Sequence, residues 1–168
     1  MADLAIFTTG GTIDKVYFDA LSAYQIGDSL AGDILKTALV QRDWRITELM
    51  RKDSLELDDA DRAAIRAAVA AASEQQIIIT HGTDTMTQTA AALAGIEGKV
   101  IVLLGAMTPA RFAQTDAPFN LGMAVATAQM AAPGVWICMS GTVFAGDKVR
   151  KDRAAGAFVA TDTPANGG

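Results

Sequence analysis

Five short apolar runs set what this chain can fold into: Leu4–Thr9, Trp44–Met50, Gln76–Thr80, Val100–Leu104 and Val135–Ser140. Most are almost unbroken rather than alternating, which is the pattern of strands covered on both faces. Helical patterns separate them. Asp28–Val40 places Leu30, Ile34, Leu35 and Leu39 on one stripe. Ala60–Ser73 does the same with Ile65, Ala68, Val69 and Ala72, behind a cap at Asp58 or Asp59. Further helices are expected over Thr83–Leu93 and from Asp116 or Ala117 to about Ala131. Alternation of strand and helix predicts a parallel sheet with helices on both faces. Two stretches fit neither pattern. Asp14–Gly27, with Tyr17, Phe18 and Tyr24, reads as a long loop or hairpin, and such a loop often serves as a lid. Thr142–Val159 carries alternating charges and is expected to form a terminal hairpin.

A chain of 168 residues is expected to be one domain with its own core. A net charge of −5 argues against a nucleic-acid partner, which selects for a basic face. One cysteine, Cys138, lies in an apolar run and reads as buried core, so no disulfide framework or thiolate zinc site is expected. His81 is the single histidine, which excludes a multi-histidine metal centre. The apolar stretch Leu4–Phe7 is too short for a secretory signal, and no run reaches membrane-spanning length. A reducing cytoplasm, with no membrane partner, is the expected setting.

Ligands of open α/β sheets bind beyond the carboxyl ends of the strands. Two hydroxyl-rich turns fall there: Thr8-Thr9-Gly10-Gly11-Thr12-Ile13 and Thr80-His81-Gly82-Thr83-Asp84-Thr85. Neither is a nucleotide loop, because the third glycine and the Gly-Lys-Ser/Thr triplet are missing. Alone, Gly10-Gly11 would pass for a tight turn and Thr83-Asp84 for a helix start. Together they could present two threonines to one small substrate. A threonine becomes a nucleophile only beside a base and an oxyanion pocket.

The two turns resemble the paired signatures of the bacterial-type L-asparaginase family, Thr-Gly-Gly-Thr-Ile (Thr9–Ile13) and His-Gly-Thr-Asp-Thr-Met (His81–Met86). Gly105-Ala106-Met107, Asp116–Leu121 and Gly146–Lys151, with Ala157-Phe158 behind, extend the resemblance over nearly the whole chain. It implies a three-layer α/β sandwich with a mostly parallel, flavodoxin- or Rossmann-like sheet. It also implies hydrolysis of L-asparagine to L-aspartate and ammonia without a metal or organic cofactor.

Carried over, Thr12 is the nucleophile that forms a β-aspartyl ester. Thr83, Asp84 and Lys151 form the second group, in which Lys151 acts as base through Thr83. Asp84 orients Lys151 and holds the substrate α-ammonium. Backbone N–H groups of Gly11 and Thr83 stabilise the oxyanion. Asp53 and Ser54 match the loop that holds the α-carboxylate. Tyr17 is the lid tyrosine by its closeness to Thr12, although Tyr24 lies nearer the spacing of larger members. Lys148 is the rival of Lys151, and the spacing to Ala157-Phe158 selects Lys151. His81 reads as a packed, hydrogen-bonded support.

The domain is expected over 1–160, with a flexible tail over 161–168. The smaller C-terminal domain usual in the family is not expected here. A more open site and a homo-oligomer with a different interface then follow. Competing readings are an amino-acid sensor with little turnover, and an amidase for glutamine or another amino-acid amide.

Overall fold

The structure, a computed structural model, describes residues 2–161. Strand β1 (Leu4–Gly10) leads into a hairpin of β2 (Lys15–Phe18) and β3 (Ala23–Ile26). Then come α1 (Ala31–Thr37), β4 (Trp44–Lys52), α2 (Asp59–Ala71), β5 (Gln76–Thr80), α3 (Met86–Ala92), β6 (Val100–Leu104), α4 (Ala117–Met130) and β7 (Gly134–Met139). Three short strands follow: β8 (Thr142–Ala145), β9 (Val149–Asp152) and β10 (Ala157–Ala160).

The main sheet runs β4-β1-β5-β6-β7-β8. All neighbours pair in parallel except β7 and β8. The predicted α/β class and mostly parallel sheet are what the chain forms, in the strand order of the flavodoxin type. Unbroken apolar strands resolve into two faces by simple alternation. Leu4, Ile6, Ile78, Val102, Leu104 and Cys138 pack towards Leu35 of α1 and Leu121 and Ala124 of α4. Ala5, Phe7, Ile77, Ile79, Ile101 and Leu103 pack towards Ile65 and Val69 of α2 and Ala90 of α3.

Three features differ from the sequence reading. Helix α1 is shorter than Asp28–Val40. It stops because Leu39 takes a left-handed φ of 55°, with Leu39 N–H on Lys36 O and Val40 N–H on Leu35 O. That is a C-terminal cap normally built on glycine. Helix α3 starts at Met86 rather than Thr83, and the amides of Asp84 and Thr85 ahead of it are received by Ser54. The terminal segment is not one hairpin: β8 closes the sheet edge against β7, and only β9 and β10 pair with each other. Asp14–Gly27, read as a long loop or hairpin, takes the hairpin form. Of the expected tail, Thr161 donates its N–H to Lys148 O at 3.1 Å, and 162–168 lie outside the described residues.

Candidate active site

The sheet order reverses between β1 and β5, so their carboxyl ends open a crevice where ligands of this topology bind. Both threonine turns stand there. Their backbones touch with no side chain between them. A Cβ on Gly11, whose φ is 86°, would collide with the Gly82 backbone, and one on Gly82 would lie 2.6 Å from Ser54 Cβ. Only glycine fits such an approach. Thr9 Oγ1 adds a clasp, donating to Thr80 O at 2.8 Å.

The turn after β5 is held from every side. Ser54, buried at the end of β4, accepts the N–H of Asp84 at 3.2 Å and of Thr85 at 3.4 Å. Thr85 Oγ1 returns a bond to Ser54 O at 2.6 Å. His81 is fully buried, with Nδ1 2.7 Å from Gly82 O and Nε2 2.7 Å from Thr89 Oγ1. A carbonyl can only accept, so Nδ1 carries the proton and Thr89 donates to Nε2. Burial pulls the imidazole down to about 4, keeping it neutral.

Lys151 meets this turn from β9. Its Nζ donates to Thr83 Oγ1 at 2.7 Å and to Asp84 Oδ1 at 2.9 Å. Phe158 is the directly opposed partner of Lys151 across the β9–β10 hairpin, and it is buried in the core. Opposed residues share a face, so burial of the phenyl ring aims the lysine. Lys148 is exposed and outside the cluster.

The turn after β1 is different. Thr12 is half-buried, and its hydroxyl has no hydrogen-bond partner among the described residues. Gly11 N–H donates to Lys52 O at 3.0 Å. That bond occupies the amide expected to serve an oxyanion. The N–H groups of Thr12 and Thr83 have no acceptor among the described residues and are the amides left for one.

Asp53 caps the turn that carries Ser54 and pairs with Lys15 Nζ at 3.2 Å. Tyr17 and Tyr24 oppose each other across the β2–β3 hairpin, rings 5.4 Å apart, about half exposed. Both therefore lie on one face of the hairpin, and neither hydroxyl bonds to Thr12. Between the hairpin and the end of β4 is an open groove of about 350 Å³ lined by Lys15, Tyr24, Arg51 and Asp53.

Three charged residues escaped the sequence reading. Lys15 and Arg153 are the ionic partners of Asp53 and Asp84, and lie far from them in sequence. Asp14, two positions after Thr12, is buried with Oδ1 unpaired, and burial pushes its carboxyl up to about 6. Among the described residues no cluster of histidine, cysteine or acidic side chains could hold a metal ion. No helix there is long and apolar enough to cross a membrane.

A mostly parallel sheet thus carries paired threonine turns at its switch point, one of them joined to a lysine and an aspartate. The family model for the asparaginase N-terminal domain matches residues 3–166, and the chain belongs to the asparaginase family. It is 31% identical over 167 residues to an L-asparaginase of Thermococcus kodakarensis, covering 91% of this chain and 48% of that protein. The solved structure of the thermostable L-asparaginase from that organism superposes with a TM-score of 0.80, over 96% of this chain and 52% of the other. L-asparaginase I from Vibrio cholerae superposes with a TM-score of 0.84 at 25% identity, over 97% of this chain and 52% of the other. A glutamyl-tRNA(Gln) amidotransferase component of Archaeoglobus fulgidus is 29% identical over 168 residues, 92% of this chain and 40% of that protein. The chain thus spans about half the length of the curated relatives it matches.

Proposed function

We propose that this chain hydrolyses the side-chain amide of L-asparagine, giving L-aspartate and ammonia. The observation that carries the reading is the Lys151–Thr83–Asp84 cluster packed against the turn that bears the free Thr12 hydroxyl.

In this reading Thr12 Oγ attacks the amide carbon. The amide π electrons move to the carbonyl oxygen, where the Thr12 and Thr83 N–H groups receive the charge. Each such donor is worth roughly 10²–10³ in rate. Collapse of the tetrahedral species breaks the C–N bond, and the NH2 group takes the proton given up by the Thr12 hydroxyl and leaves as ammonia. Water then attacks the β-aspartyl ester, and Thr12 Oγ leaves and regains its proton. Lys151 as the free amine takes the proton of the Thr83 hydroxyl, so that Thr83 can deprotonate the attacking group. Asp84 orients Lys151 and faces the substrate α-ammonium. Asp53 and Lys15 stand together where the α-carboxylate would lie, with Lys15 as its positive partner. Gly11 contributes by closeness of backbone, and Ser54 by fixing the Asp84 turn. Tyr17 closes over Thr12 from the hairpin. No metal or organic cofactor enters this scheme.

The test is ammonia release from L-asparagine by the purified chain, with Thr12→Ala alongside. Turnover lost in the variant supports the reading. Tight binding of asparagine with no ammonia from the wild type would favour a sensor. Glutamine is run in parallel, since one methylene separates the two amides by only about 1–3 kcal/mol in a shaped pocket. We further place the protein in the cytoplasm, supported by a single, buried, free cysteine. We expect a homo-oligomer, since self-association would cover the exposed Leu39, Phe119 and Met130.

A further inference from the structure

Asp84 is shared. Its Oδ1 lies 2.9 Å from Lys151 Nζ and 3.5 Å from Arg153 Nη2. The lysine is only 19% exposed, whereas the arginine is 72% exposed. Arg153 projects from the turn between β9 and β10, and that turn is fixed. Asp152 Oδ1 accepts the N–H of Ala154 at 3.1 Å and of Ala155 at 3.0 Å, and Arg150 Nη1 pairs with Asp152 Oδ2 at 3.3 Å. The root of Arg153 is therefore held beside the site while its guanidinium is free to swing.

The neighbouring charges sharpen the point. Asp84 meets a half-buried lysine and a solvated guanidinium, while Asp53 beside it is already paired with Lys15. A ligand that brings its own ammonium to Asp84 must displace a guanidinium. A ligand with a carboxylate and no ammonium displaces nothing, and gains a cation.

We infer that Arg153 is a specificity-determining residue, which competes with the substrate ammonium for Asp84 and shifts the site towards mono-amides of dicarboxylic acids that lack a free α-amine. The inference rests on the proposed amide-hydrolysing role of the site. Because Arg153 is largely solvated, its effect is that of an exposed ion pair, about threefold in affinity.

L-Aspartate and succinate differ only in the α-ammonium, so they are the probes. Their dissociation constants are measured by calorimetry for wild type and Arg153→Gln, at low salt and at high salt. Removing the guanidinium is expected to tighten L-aspartate about threefold and weaken succinate about as much, with both changes shrinking in high salt. In an Asp84→Asn background the same substitution should leave L-aspartate binding unaltered, which a merely structural role would not produce. Unchanged or weaker L-aspartate binding in Arg153→Gln, or no binding of either ligand, overturns the inference. Ammonia release from L-asparagine is read separately. If the affinities shift as expected while the wild type releases none, the hydrolase reading fails and the role of Arg153 stands.

Discussion

Two threonines end neighbouring strands, and the fold treats them in opposite ways. The turn after β5 is anchored throughout: Ser54 takes its amides, His81 is locked between Gly82 and Thr89, and Lys151 reaches Thr83. The turn after β1 leaves Thr12 with its hydroxyl unpartnered and releases the chain into a hairpin with exposed aromatic residues. An anchored group can relay a proton because its distances do not change. An unpartnered hydroxyl can bond to carbon because nothing must first be broken. In the proposed reaction the contrast suits Thr83 to relay and Thr12 to attack.

The largest test of this contrast removes each hydroxyl. Thr12→Ala should lower kcat by about three orders of magnitude or more with no change in Tm, since no protein bond is lost. Thr83→Val and Lys151→Met should lower kcat comparably. Both should also lower Tm, because each breaks the bond at 2.7 Å. Lys148→Met should alter neither. A Thr12→Ala variant that melts early would erase the distinction between the turns.

A second test strikes the anchor. Ser54→Ala leaves two buried amides without an acceptor and should cost about 1–3 kcal/mol of stability. Urea unfolding reads that loss. Activity should fall with it, through displacement of Asp84.

The third compares the buried titratable group beside each turn. Burial raises the Asp14 carboxyl from an ordinary 3.8 to about 6. Its stabilising contribution is complete below about pH 4 and is lost as pH rises through 6. Asp14→Asn should therefore stabilise the protein at pH 7 by about 2–3 kcal/mol, a gain that vanishes near pH 4. His81 has the opposite sign. Burial lowers it from 6.5 to about 4, so stability is lost as pH falls across that interval. The two slopes oppose each other in the wild type, and Asp14→Asn should expose the His81 slope in urea midpoints taken from pH 4 to 7. A flat profile in the variant would contradict the His81 assignment, and a variant profile parallel to the wild type would contradict that of Asp14.

The smallest effect is expected at the lid. Tyr17→Phe and Tyr24→Phe keep the ring packing at 5.4 Å and remove one hydroxyl each. Tyr17→Phe should lower kcat more than Tyr24→Phe, and the reverse order would reassign the lid tyrosine.

The sheet was legible because a buried parallel strand must be apolar over its length, and Leu4–Phe7, Ile77–Ile79 and Val100–Leu104 are. The end of α1 was not, because Leu39 adopts a backbone conformation that leucine sequences rarely signal. The start of α3 was hidden for a different reason. Thr83–Thr85 are good helix openers, but Asp84 and Thr85 are tied instead to Ser54, distant in sequence. In the site, Thr12, Thr83, Asp84 and Lys151 stand in recognisable motifs. Spacing from Lys151 to Phe158 carried information because the two face each other across a hairpin. What escaped was pairing between distant segments: Gly11 N–H with Lys52 O, Lys15 with Asp53, and Arg153 with Asp84. Asp14 escaped because a carboxylate in a stretch that reads as loop gives no sign of burial.

The central claim is that the free and the anchored hydroxyl face one carbon. A crystal structure with bound L-aspartate tests it most directly. The side-chain carboxyl carbon should lie within about 3.5 Å of both Thr12 Oγ1 and Thr83 Oγ1, the approach a reacting pair requires. Aspartate seated elsewhere, or the two hydroxyls turned into separate cavities, would contradict it.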